Sequence, residues 1–309
     1  MKAWFFKFHR WIALAFGLPL AVVILTGLIL SVEPWLVGRA IEPGSLSAAK
    51  IQALLSRHDP QGRARSLSYR SYDRSLTLSA GRGAGRGIVV DTLTGEAQAG
   101  PSTHASILGT ARGLHEALLL DAEWLVIAST VAMLAIVALG VLMGLPRIAN
   151  TLAGWHKAMA WGLLPLIVLS PLSGLLMALG VTFTTPAAPA RGPSALPSLR
   201  QAVDIVGRDH DLSSLVWLRP QGNRLLVRLV ENGEYTVHAV TPAGTTPLPR
   251  NWPRLWHEGN FAGGWSAALN LVVSLAMAGL LGTGVWMWLR RRLRKRARQS
   301  RATVSVPAE

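Results

Sequence analysis

Four apolar runs, at about residues 11–32, 124–145, 158–180 and 265–289, constrain this chain more than any other feature. Each is long enough to cross a bilayer as a helix, since roughly 20 residues cover a ~30 Å hydrocarbon core. The first run follows Lys2, Lys7 and Arg10, as a signal peptide's apolar stretch would, but it extends to Val32 without a convincing small-x-small cleavage site. It therefore reads as a span. Tryptophans 11, 35, 124, 155, 265 and 288 stand near the edges of the runs, as interfacial anchors do. The net charge is +15, and eight of the 31 basic residues crowd between Arg290 and Arg301. With four spans, that tail shares a side with Lys2, Lys7 and Arg10 and with Arg147 and Lys157. The positive-inside rule makes this side the cytoplasm, with residues 33–120 and 181–260 outside. Because the basic residues flank apolar runs, the charge points to a lipid bilayer and not to nucleic acid.

The chain is built twice. His9 and Gly27 are 18 residues apart, as are His156 and Gly174; His115 and Gly140 are 25 apart, as are His257 and Gly282. Leu25-Thr26-Gly27-Leu28 matches Leu172-Ser173-Gly174-Leu175, and His115-Glu116 matches His257-Glu258. The polar segments agree in outline too. Each opens with a helical stretch (47–57 and 197–208). Each continues with alternating strands (65–71, 74–80 and 87–92; 213–219, 223–230 and 234–241) and ends in a turn at Thr94-Gly95 or Ala243-Gly244. Two helix–domain–helix units of the same topology are expected, related by an axis along the membrane normal.

Four of the eight histidines stand at the ends of the runs, one per run. His9 and His156 are on the inner side, His115 and His257 on the outer. An approximate two-fold would bring each pair face to face, an arrangement that suits a haem iron with two axial histidines. Eighteen residues are five helical turns and 25 are nearly seven, so each histidine shares a helix face with its glycine if the helices are continuous. A glycine at the level of the other pair's metal would admit a flat macrocycle. Arg112 and Arg254, three residues before the outer histidines, are placed to pair with propionates, as are Arg10 and Lys157 beside the inner ones. The alternative is structural: interfacial histidines are common, and glycines let membrane helices pack closely. His58, His104, His210 and His238 follow no pattern and read as surface residues. The absence of cysteine excludes disulfides, thiolate metal sites, iron–sulfur clusters and thiol nucleophiles.

Several words together carry a resemblance. They are Phe8-His9-Arg10-Trp11, Leu114-His115-Glu116, Trp155-His156-Lys157, Leu255-Trp256-His257-Glu258 and Gly282-Thr283-Gly284-Val285-Trp286-Met287-Trp288. With them the chain resembles the PepSY-associated transmembrane helix family, and Val89-Val90-Asp91-Thr92-Leu93-Thr94-Gly95-Glu96 resembles the end of a PepSY domain. The family includes bacterial inner-membrane proteins linked to iron uptake, among them ferric-siderophore reductases with two b-type haems. The resemblance implies an oxidoreductase of the ferric-chelate reductase type. Haem b would be held by His9, His115, His156 and His257, with a cytoplasmic donor or quinol on one side and a ferric chelate or siderophore on the other. Some relatives carry a flavin reductase module; here no G-x-G-x-x-G opens a helix after a strand, and Gly81–Gly87 reads as a loop. A PepSY-type binding or regulatory protein and a metal or siderophore transporter remain open.

The expected fold is an all-α membrane bundle of four transmembrane helices, built as two parallel repeats. Two small α+β PepSY-like extracytoplasmic segments accompany it. The expected divisions are the first helix to residue 33, a domain at 34–113, a helix at 114–146, a link and helix at 147–180, a domain at 181–255, a helix at 256–290 and a basic tail at 291–309.

Overall fold

The computed structural model describes residues 2–81, 87–119, 121–145, 149–184 and 196–304; Arg147 and the interior of the Gly81–Gly87 run lie outside these. The first half contains α1 (Lys2–Ala15), α2 (Gly17–Leu30), α3 (Glu33–Ala40), α4 (Ala48–His58), β1 (Ser66–Arg70), β2 (Ser75–Ser79), β3 (Ile88–Asp91), β4 (Ala97–Gln98), α5 (Thr103–Ala117) and α6 (Glu123–Leu142). The second contains α7 (Leu152–Gly162), α8 (Leu164–Ala178), α9 (Leu199–Asp209), β5 (Leu215–Gln221), β6 (Arg224–Glu231), β7 (Glu234–Thr241), β8 (Gly244–Pro247), α10 (Trp252–Glu258) and α11 (Gly264–Val304). These form two compact units, a helical one (1–28, 113–175, 271–309) and a mixed one (29–112, 176–270).

In the helical unit, Leu20 of α2, Met133 of α6 and Val273 and Met277 of α11 form a buried cluster, with Phe16, Ile24, Ile136 and Leu166 packed on it. Buried hydroxyls return to their own helices, as when Ser129 and Thr130 donate to the Leu125 and Val126 carbonyls at 2.6 and 2.9 Å. These two hydroxyls are thereby paired within the apolar unit. Proline sets the interruptions. Pro19 cannot donate to the Ala15 carbonyl, and α1 ends there; Pro165 cannot donate to Trp161, and α7 meets α8 at Leu163 with a bend of 67°.

Among the described residues, three helices are long and apolar enough to cross a membrane: Gly17–Ala40, Glu123–Leu142 and Gly264–Ala297. The expected third run qualifies only if the broken pair α7–α8 counts as one span. This corrects the expectation of four regular transmembrane helices. The larger correction is that the chain is not all-α with two small separate domains, because the two polar segments build a single eight-stranded antiparallel sheet, ordered β4-β3-β2-β1-β5-β6-β7-β8. The order is symmetric about the β1·β5 pair, where Leu67 faces Leu218 and Ser68 faces Trp217. Each half alone would leave the edge of its first strand open, and pairing the two edges removes both.

The sequence explains the layers of this unit. β1 alternates buried Leu67 and Tyr69 with half-buried Ser66, Ser68 and Arg70. On α4, Ile51, Leu54 and Leu55 share one face; on α9, Ala202, Val203, Ile205 and Val206 do the same. These faces meet Leu67, Leu76, Leu218, Val227 and Leu229 of the sheet in one core. Ser47 caps α4 by accepting from Lys50 N–H at 3.2 Å, and Ser198 with Gln201 forms a capping box on α9. Between the helices, Gln52 donates to the Arg200 carbonyl and to Asp204, at 2.8 and 2.9 Å. Asn232-Gly233, both with positive φ, makes the two-residue turn from β6 to β7. Gly233 is needed for space as well, because a Cβ there would lie 2.7 Å from the Gly263 Cα.

Candidate functional site

Three of the four run-end histidines belong to the helical unit, and their surroundings are alike. His9 of α1 has Nδ1 3.0 Å from the Ile136 carbonyl of α6. His115, in the last turn of α5, has Nδ1 3.0 Å from the Val23 carbonyl and 3.2 Å from the Thr26 hydroxyl. His156 of α7 has Nδ1 2.7 Å from the Thr283 hydroxyl of α11. A carbonyl can only accept, so His9 and His115 carry their proton on Nδ1. Thr283 places its single hydroxyl proton on the Gly279 carbonyl, 2.7 Å away, so it too accepts from Nδ1. With its proton on Nδ1, a neutral ring keeps the Nε2 lone pair, the form in which histidine binds a metal.

Two of these rings lie against a Thr-Gly pair. A Cβ at Gly27 would meet His115 Cε1 at 3.1 Å and Nδ1 at 3.5 Å; one at Gly284 would meet His156 Cε1 at 3.7 Å. The sequence spacing had pointed to Gly282, but Gly284 is the residue beside His156, two positions on and so on a different face of the helix. Among the described residues, no atom lies within 4 Å of a Cβ built at Gly140 or Gly282. Gly174 is half-buried within α8. The seven-turn phase argument required continuous helices from His115 to Gly140 and from His257 to Gly282. Both are interrupted, the first by Leu118, Leu119 and Asp121 with positive φ, the second by Gly259 in the left-handed region closing α10. Five turns from His156 to Gly174 likewise pass through the bend at Leu163.

His257 belongs to the mixed unit, half-buried in the last turn of α10. Arg254 pairs with Glu258 at 3.1 Å, and Arg112 pairs with Glu33. The two arginines assigned to propionates therefore have carboxylate partners within their own unit. Arg10 and Lys157 are exposed. Glu258 also pairs with the buried Arg228, whose guanidinium lies over the Tyr235 ring at 4.5 Å. Burial alone would raise the Glu258 pKa, but Arg228 and Arg254, with hydrogen bonds from Arg228 and Asn260, hold it down at about 2.

One cluster escaped the sequence reading. His210 and His238 converge on Glu231, whereas His58 only bonds the Gly95 carbonyl, at 2.9 Å. The Asn-Gly turn was the available signal, since it puts Glu231, Thr236 and His238 on one face; His210 is far away in sequence and gave none.

No curated protein matches this sequence. The model of the PepSY-associated TM region matches residues 6–291, nearly the whole chain, which therefore belongs to that family of membrane proteins.

Proposed function

We propose that this membrane protein carries electrons on two b-type haems and passes them to a ferric chelate. His9 and His156 would be the axial ligands of one haem and His115 a ligand of the other. The observation that carries the reading is the common setting of His9, His115 and His156, each held at Nδ1 by a carbonyl or hydroxyl oxygen of a neighbouring helix. The donor set fits the group: imidazoles in an apolar helical unit, small residues beside two of the rings, and open space at Gly140 and Gly282. A bis-histidine haem supplies one-electron exchange. The chain's residues do the rest. The Ile136 and Val23 carbonyls and the Thr26 and Thr283 hydroxyls fix the rotation of the rings and raise the basicity of Nε2.

The single sheet bears on topology. Its two halves are hydrogen-bonded together, so the chain between Arg112 and Leu176 must cross the membrane an even number of times. α6 supplies one crossing, and we assign the return to the broken pair α7–α8. The basic termini then lie together on the cytoplasmic side of a bacterial inner membrane, and the sheet lies in the periplasm. Residues 29–112 and 176–270 carry 18 Lys and Arg against 12 Asp and Glu, which favours anionic acceptors. Ferric siderophores are the acceptor class that the family resemblance suggests. The test reduces the protein in proteoliposomes, adds a ferric siderophore outside, and follows haem reoxidation together with ferrous-iron trapping. Fast reoxidation, lost in His156→Ala, supports the proposal. Haems that a quinone oxidises but ferric chelates leave reduced would overturn the choice of acceptor.

A further inference from the structure

His210, Glu231 and His238 take no part in the haem reading, and three elements of the mixed unit bring them together. His210 caps the C-terminus of α9, Glu231 ends β6, and His238 lies within β7. Glu231 pairs with Glu234 across the Asn232-Gly233 turn, so strand alternation puts Glu231, Thr236 and His238 on one sheet face with Val227 and Leu229 of the core. α9 packs on β7 and β8 and delivers His210 to this face.

The donor atoms of the three side chains all lie within 4.8 Å of one another. His210 Nδ1 is 2.7 Å from Glu231 Oε1, and His238 Nε2 is 3.1 Å from Glu231 Oε2. The other nitrogen of His210 is committed. Its Nε2 is 2.9 Å from the Thr245 hydroxyl, whose own proton goes to Asp209 at 2.8 Å. Thr245 must therefore accept from Nε2–H, and in a neutral ring Nδ1 then turns a lone pair toward a carboxylate oxygen. Two acceptors 2.7 Å apart require a proton or a metal ion between them. Two imidazoles and one carboxylate, with an outer hydroxyl and carboxylate orienting one ring, are the ligands and the supporting shell of a divalent transition-metal site. At metal–ligand bonds of about 2.1 Å the edges of a tetrahedral site are about 3.4 Å long. The two nitrogen–oxygen contacts, 2.7 and 3.1 Å, would open by about 0.7 and about 0.3 Å to reach that length.

We infer that His210, Glu231 and His238 bind a divalent first-row transition-metal ion of the zinc class, with a remaining coordination position for water or an anionic ligand. This site is independent of the haem proposal, which haem absorbance reads separately.

The test uses the full chain in detergent, stripped with chelator and titrated with zinc chloride by calorimetry, with metal content measured after dialysis. The wild type is expected to hold one more zinc per chain than His238→Ala or His210→Ala. Cobalt(II) is expected to give the visible bands of a tetrahedral site that both variants lose. Asp209→Asn, which leaves the ligands in place, should weaken zinc binding by about tenfold or more. Glu231→Gln serves if a histidine variant melts much below the wild type in chelator. Equal zinc content in the wild type and in every folded ligand variant would overturn the inference and leave an ordinary hydrogen bond between His210 and Glu231.

Discussion

Gly27→Ala tests how the His115 ring is held. A methyl group there would stand 3.1 Å from Cε1 and 3.5 Å from Nδ1 of His115, whereas relaxed carbon contacts are about 3.5–4.0 Å. The ring must retreat by roughly half an ångström. Its Nδ1 bonds to Val23 O and Thr26 Oγ1 are 3.0 and 3.2 Å now, and such a retreat takes them to the limit of useful hydrogen bonding. Overpacking costs about 1–3 kcal/mol and the weakened bonds about 1 kcal/mol, while alanine in place of helical glycine returns about 0.5–1 kcal/mol. The net loss of about 1–3 kcal/mol is survivable, so the effect should be local. Purified Gly27→Ala is expected to fold, to keep the low-spin haem signal that His156→Ala removes, and to lose or shift the other. Gly17→Ala, on the same helix with no described atom within 4 Å of the new methyl group, is the control and should leave both signals unchanged. If Gly27→Ala keeps both signals at unchanged potentials, the Gly27–His115 contact has no bearing on a cofactor.

Two further outcomes follow from the charges and from topology. The Glu258 pKa is depressed in the fold from 4.5 to about 2, so its contribution to stability is fully present above pH ~4.5 and is lost as pH falls through about 2, at most about 3 kcal/mol. Glu258→Gln should lower the melting temperature at pH 7, because it leaves Arg228 buried without its carboxylate, and should flatten the acid limb between those values; an unchanged acid limb would contradict the assignment. The absence of cysteine permits single-cysteine labelling without background. Gln61→Cys and Gln221→Cys are expected to react with an impermeant maleimide from the periplasm and Gln299→Cys only after permeabilisation, and the reverse pattern would contradict the topology.

Local order was legible in the sequence where it is set by neighbours. The alternation in 65–71, 74–80 and 213–241 became strands within a residue or two, and the helical stretches at 47–57 and 197–208 became α4 and α9. The pairing of β1 with β5 was not legible, because it joins residues about 150 apart through backbone bonds that any side chains permit. Proline positions were visible, but the 67° at Leu163 depends on packing. The spacing from His115 to Gly140 looked like seven helical turns only because Leu118, Leu119 and Asp121, which adopt the left-handed backbone, are not glycines and do not announce it. The histidine words led to His9, His115 and His156, whereas the carbonyls and hydroxyls that fix their rings leave no trace in sequence, since every residue has a carbonyl. Glu231 with His238 could have been read from the hairpin; His210 needed the fold.

Haem content tests the central claim most directly. The full-length protein, purified in detergent from cells supplied with haem, should carry about two b-type haems per chain, and its reduced-minus-oxidised spectrum should show low-spin, bis-histidine bands. His156→Ala should halve the haem and leave the remaining spectrum low-spin. A well-folded protein that binds no haem, or whose haem content is the same in the wild type and in His9→Ala, His115→Ala and His156→Ala, would contradict the account.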